Sequence, residues 1–80
     1  MPVFLVQNLS DKEIRLGIEP WADLEVLAPR AHVTFEYVEP AEIELTVLGN
    51  DRVGVSIVSD HIKVLANGRE KTFRPPPGDW

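Results

Sequence analysis

Short stretches in which apolar and polar residues alternate recur along the whole chain, separated about every eight to ten residues by Pro, Gly, Asn or Asp. Alternation with a period of two places every second side chain on one face, which is typical of a β-strand. No stretch keeps the period of a helix over several turns. The pattern therefore predicts an all-β domain with little or no helix, an antiparallel β-sandwich or a jelly-roll-like barrel of roughly seven or eight short strands.

The strand boundaries follow from where the alternation stops. We expect strands over residues 3–7, 13–19, 23–27, 31–38, 42–48, 52–58, 61–65 and 70–73. The side chains predicted to point inward include Ile14, Leu16, Ile18, Val33, Phe35, Tyr37, Ile43, Leu45, Val47, Val53, Val55 and Ile57. Residues 48–51 and the Asn67-Gly68 pair predict hairpins, because Asn and Gly tolerate the positive φ angles of tight turns.

Two features depart from this alternation. Residues 3–7 are apolar on both faces, which predicts either a central strand covered on both sides or a strand paired across an interface. The two tryptophans, Trp21 and Trp80, lie outside the predicted strands. We therefore take Phe4, Val6, Trp21 and Trp80 as the candidate contacts to a partner or ligand. For Trp21 the other interpretation is that its indole closes an end of the sandwich.

Three successive prolines near the C-terminus favour an extended polyproline II conformation. We therefore divide the chain into one β-sandwich domain over residues 1–74 and a proline-rich arm over residues 75–80. The arm ends in Trp80, whose large apolar area predicts that it docks on its own chain or on a neighbouring one.

The composition excludes several function classes. A chain of 80 residues forms one domain with a small core, and the absence of cysteine excludes disulfides and thiolate metal sites. The formal net charge of −5 argues against electrostatic binding to nucleic acid or to an anionic membrane. No segment approaches the ~20 apolar residues of a membrane helix, and the N-terminus lacks the basic region of a signal peptide. These features predict a cytoplasmic protein.

The charged residues are unevenly distributed. Residues 19–51 contain eight carboxylates and the single Arg30, whereas residues 52–80 contain five basic and three acidic residues. We expect most of these charges to lie on solvated strand faces, although strands distant in sequence can interleave and mix the two halves.

The chain lacks the residue spacings of catalytic and metal sites. His32 and Glu36 share an outward face with Thr34 but are about 13 Å apart along a strand, too far for one metal ion. Residues 59–61 offer Ser, Asp and His whose side chains alternate in direction, so a turn explains them better than a nucleophile. The carboxylates of Glu42 and Glu44 are spaced at ~7 Å as in glycosidases, but so small a domain offers little cleft. We expect no cofactor, no metal and no enzymatic activity.

The motif Asn8-x-Ser10-Asp11-x-x-Ile14-x-Leu16-x-Ile18-Glu19-Pro20-Trp21, followed by Leu27-Ala28-Pro29, resembles small bacterial all-β proteins of unassigned function. The similarity covers about a quarter of the chain. Pro29-Arg30 stands where such proteins commonly have Pro-Gly. The resemblance implies the sandwich or jelly-roll-like fold and no activity.

The pattern as a whole favours a non-enzymatic protein-interaction or structural module that self-associates, because the two-sided first strand and the proline-rich arm can each cross an interface. The partner is then another protein or a second copy. One alternative is a small-ligand or carbohydrate-binding domain that uses Trp21. A further alternative is a cupin-like metal-dependent enzyme.

Overall fold

Two four-stranded sheets make up the fold in the computed structural model, which describes residues 2–19 and 21–74. The strands are β1 (Val3–Gln7), β2 (Ile14–Glu19), β3 (Asp23–Leu27), β4 (His32–Tyr37), β5 (Glu42–Val47), β6 (Arg52–Val58), β7 (Ile62–Ala66) and β8 (Arg69–Phe73). Sheet 1 has the order β1-β4-β7-β8 and sheet 2 the order β3-β2-β6-β5. The predicted all-β, two-sheet architecture is confirmed, with no helix in the described residues. The proposed arm, residues 75–80 with Trp80, lies outside them.

One strand pairing differs from the antiparallel arrangement that we expected. β2 and β6 run in the same direction, with Gly17 beside Gly54, whereas the other pairings in the described chain are antiparallel. Parallel neighbours require a long crossover connection, and here the chain passes through β3, β4 and β5 between them. Side chains alternate in the same way in parallel and antiparallel strands, so the sequence pattern carried no sign of this pairing.

The core fills the space between the two sheets. Its buried apolar residues come from β2, β3, β4, β6 and β7, and they are Leu16, Ile18, Leu27, Val33, Phe35, Val55, Ile57, Ile62, Val64 and Ala66. The predicted inward positions of β2, β4 and β6 are thus confirmed at their centres, whereas Ile14, Tyr37 and Val53 are half-buried at the margin of the core.

The backbone adopts the left-handed region at four described positions. Asn67 and Gly68 have φ angles of 52° and 74° in the turn between β7 and β8, which confirms the predicted hairpin. Ala22 and Arg30 have φ angles of 55° and 70°, although a Cβ atom is unfavourable there. The guanidinium of Arg30 donates a hydrogen bond to the Leu9 carbonyl at 2.6 Å.

Replacing Ala22 with glycine is expected to stabilise the domain by about 0.5 kcal/mol, because relief of the Cβ penalty exceeds the extra conformational entropy that glycine loses on folding. Urea denaturation followed by circular dichroism measures the difference. Ala28→Gly is the control, because Ala28 is also exposed but lacks a positive φ, and this variant is expected to lose stability. A less stable Ala22→Gly variant would contradict the strain assigned to this turn.

Candidate functional site

An ion-pair network centred on Glu25 joins the edge strands β3 and β8, and we call this the closed side of the sandwich. The Glu25 side chain is 2% exposed, and Lys71 Nζ lies 2.5 Å from its Oε2 and 2.8 Å from Oδ2 of Asp23. Arg69 Nη2 lies 3.5 Å from Oε1, to which Asn67 Nδ2 donates a hydrogen bond at 3.2 Å. No donor in the described residues is aligned for a hydrogen bond to Oε2, so the short approach of Nζ compensates the charge on that oxygen.

The network raises the pKa of Lys71 above its ordinary value of 10.5, first through its hydrogen bond to Asp23 and then through the close approach of its Nζ to the Glu25 carboxylate. The ammonium group therefore stays charged across the neutral range. Our expectation of solvated strand faces is wrong for Glu25, because β3 turns its carboxylates inward and leaves Leu24 and Val26 exposed. The acidic middle of the chain thus meets the basic C-terminal part at the closed side of the sandwich.

The indole of Trp21 packs at the end of the closed side. Its ring centroid is 4.9 Å from that of Phe73, with an angle of 32° between the rings. The half-buried indole also donates its Nε1 hydrogen to the carbonyl of Arg74 at 3.0 Å. These are the contacts expected of an indole that closes the sandwich. The role of Trp21 as a ligand contact stays a prediction, and these intramolecular contacts give it no support.

The opposite side of the sandwich, formed by the edge strands β1 and β5, is its open side. β5 pairs with β6 so that Ile43, Leu45 and Val47 share the face of the buried β6 residues. These three side chains are nevertheless 41%, 58% and 73% exposed. The predicted inward direction is correct, but the burial that we expected is wrong, because sheet 1 does not cover this edge. Leu48, which follows the strand, is exposed as well.

β1 is the second edge strand of the open side, since it pairs with β4 alone. The interpretation of residues 3–7 as a central strand is therefore wrong. Phe4 and Val6 are half-buried against the core, and Phe4 stacks on Phe35 with ring centroids 4.6 Å apart. The exposed apolar residues of β1 are Val3 and Leu5. Because both faces of this strand are apolar, the sequence pattern could not separate the two sets.

The direction of the free backbone groups of β5 follows from one hydrogen bond. The Leu48 N–H donates to the Arg52 carbonyl at 2.9 Å. In an antiparallel pair, residues alternate between those that hydrogen-bond to the neighbouring strand and those that do not. Ile43, Leu45 and Val47 therefore direct their N–H and C=O groups to the free edge, on the strand whose apolar side chains are exposed.

The edge strands differ in how they are protected from pairing with another sheet. Inward-pointing charges are a common protection for an exposed edge. β3 and β8 carry such charges at Glu25 and Lys71. The inward face of β5 carries none, because Glu42 and Glu44 lie on its other face. β5 is thus an apolar edge without the protection that the closed side has.

A groove of about 530 Å³ lies on the outer face of sheet 1. It is lined by His32, Thr34, Leu65 and residues 66–70, so two of the three predicted outward residues of β4 line it and Glu36 does not. Within the residues that the structure describes, no three His, Asp or Glu side chains are grouped to hold a metal ion.

The hydroxyl of Ser59, which was weighed as a nucleophile, forms hydrogen bonds with backbone groups. Its buried hydroxyl donates to the Val38 carbonyl at 2.6 Å and accepts from the Val38 and His61 N–H groups at 3.2 and 3.5 Å. Ser59 thus caps backbone groups where the chain bends at Asp60, as expected of a turn.

The sequence pattern missed two parts of this arrangement, the buried Glu25 with its cations and the uncovered face of β5.

Among residues 2–19 and 21–74 there is no helix of the length and apolarity needed to span a membrane. The resemblance to small bacterial all-β proteins stays a prediction. Comparison of the chain with protein-family models, with curated proteins and with solved structures finds no match in any of the three.

Proposed function

We propose that this domain is a non-enzymatic interaction module that self-associates through its open side, with β5 as the contacting edge. The observation that carries the proposal is the exposure of Ile43, Leu45 and Val47 on the inward face of β5. Each apolar side chain removed from water contributes roughly 1 kcal/mol or more to association.

The cysteine-free composition supports a cytoplasmic location.

A second copy of the chain fits this edge because both signs of charge lie on the outer face of sheet 2, on β5 and at the start of the neighbouring β6. Glu42 and Glu44 lie on the outer face of β5, and Arg52 lies opposite Leu48 on the same face. None of the ion pairs in the described residues includes Arg52. Two copies related by a two-fold axis can therefore match carboxylates with arginines.

Sedimentation equilibrium tests the proposal over a loading range from about 5 to about 500 µM, which brackets the affinity expected of a small interface. We expect the average mass to rise from the 9.0 kDa of one chain towards twice that value. Leu45→Lys is expected to weaken association at least about tenfold, because it places a charge in the buried contact.

Leu24→Lys is the matched control, since Leu24 is 55% exposed on the edge strand β3 and Leu45 is 58% exposed on β5. This variant is expected to associate like the unmodified chain. A monomer throughout the loading range, or equal weakening by both substitutions, would remove the proposal.

A further inference from the structure

We infer that two copies join by antiparallel pairing of β5 with β5 across a two-fold axis at Leu45, an inference that rests on the proposed self-association. Such pairing merges the two copies of sheet 2 into one continuous sheet. It uses the backbone N–H and C=O groups that Ile43, Leu45 and Val47 direct to the free edge.

The apolar residues of β5 select this register. Directly opposed residues in an antiparallel pair share one face, so the axis must pass through a residue. With the axis at Leu45, this residue opposes Leu45 of the second copy, and Ile43 opposes Val47 of the second copy. Every residue with free backbone groups then meets another such residue, and each of these pairs exchanges two hydrogen bonds.

The neighbouring registers are less favourable. With the axis at Glu44, the carboxylate opposes Glu44 of the second copy, and directly opposed like charges are destabilising. With the axis at Thr46, Ile43 opposes Gly49 of the second copy, which has no side chain to pack against. In the Leu45 register, Glu44 opposes Thr46 of the second copy, which avoids both defects.

The same register brings opposite charges into one row on the outer face. Leu48 opposes Arg52 within the chain, and with the axis at Leu45 it also opposes Glu42 of the second copy. Arg52 and that Glu42 are then two strand spacings apart, about 9 to 10 Å between Cα atoms. Their long side chains can meet above Leu48, and the symmetry forms this pair twice.

β1 is the competing edge, because it also lies on the open side and exposes Leu5. Its inward residues Phe4 and Val6 already pack on the core. Its free edge also lacks charged residues that could set a register. The observations therefore favour β5.

Single cysteines introduced into this cysteine-free chain test the register by disulfide formation under mild oxidation, followed by non-reducing electrophoresis. The paired Cα atoms at Leu45 are expected about 5.5 Å apart, within the range that a disulfide spans. We expect Leu45→Cys to crosslink at least about tenfold faster than Glu44→Cys and Leu5→Cys, whose Cα atoms lie beyond that range in this register.

Charge reversal gives a second readout that needs no crosslink. Arg52→Glu and Glu42→Arg are each expected to raise the dimer dissociation constant at least about threefold in sedimentation equilibrium, and the double variant is expected to restore it. Faster crosslinking at Glu44→Cys or Leu5→Cys in a protein that sediments as a dimer would overturn the register and leave the self-association intact. A protein that sediments as a monomer would overturn both.

Discussion

Replacing Lys71 with methionine is expected to lower the free energy of unfolding by about 2 to 3 kcal/mol, because it leaves the buried Glu25 carboxylate without its nearest cation. Removing one partner of a fully buried pair commonly costs about 3 to 5 kcal/mol. The smaller value applies here because Arg69 remains 3.5 Å from the other oxygen and Lys71 is 33% exposed. Since a domain of this size has a total stability of about 4 to 12 kcal/mol, the loss is large.

Urea denaturation measures this loss against two controls. Lys63→Met removes an exposed pair with Glu70, whose atoms are 3.2 Å apart, and is expected to change stability little. The double variant Glu25→Met/Lys71→Met is expected to be close to the unmodified chain, because apolar groups can replace a buried ion pair without loss. Equal effects of Lys63→Met and Lys71→Met would show that Glu25 does not need its cation.

The pH dependence of the same variant follows from the raised pKa of Lys71. A cation with a raised pKa in the folded state stabilises the fold fully below its ordinary value of 10.5, and this contribution is lost as the pH rises through the folded pKa. The deficit of Lys71→Met relative to the unmodified chain is therefore expected to be constant from neutral pH up to about pH 10 and to shrink above it. A deficit that grows in alkali would contradict this assignment.

Replacing Asn8 with aspartate is expected to destabilise the domain by about 3 kcal/mol or more. The Asn8 side chain is 1% exposed. The two hydrogens of its Nδ2 are shared among the carbonyl oxygens of Lys12, Leu27 and Ala28, which lie 2.8, 3.0 and 3.1 Å from the nitrogen. Its Oδ1 accepts from the N–H and hydroxyl of Ser10 at 3.0 and 2.7 Å. In Asn8→Asp, one carboxylate oxygen can still accept the hydrogen bonds from Ser10. The other oxygen replaces the Nδ2 donor and brings negative charge next to the three carbonyl oxygens, which repel it.

Thermal and urea unfolding compare the stability of Asn8→Asp with that of Asn8→Ala. We expect alanine to cost less than aspartate, since it removes the hydrogen bonds without burying a charge. Lowering the pH below about 4 protonates the introduced carboxyl and is expected to narrow the difference between the two variants. Asn50→Asp, in an exposed turn, is the control that should change little. An Asn8→Asp variant as stable as this control would contradict the role assigned to Asn8.

The sequence by itself determined the strands and the centre of the core. Alternation along β2, β4 and β6 identified Leu16, Phe35 and Val55 as inward-facing, and these side chains are fully buried. The Asn67-Gly68 pair identified the turn between β7 and β8. These features depend on the period of a strand and on the φ angles that a residue tolerates, which are local properties that a sequence shows directly.

Only the tertiary structure decided which faces are covered. In β3, apolar Leu24 and Val26 alternate with carboxylates, and the strand turns Glu25 inward because β8 supplies Lys71 there. In β5, the alternation is as regular as in β6, yet Leu45 stays exposed because no strand of sheet 1 lies over it. The residue pattern of neither β2 nor β6 indicates that these strands pair in parallel. Coverage, charge pairing and strand direction depend on neighbours distant in sequence, whereas alternation reports only that two faces differ.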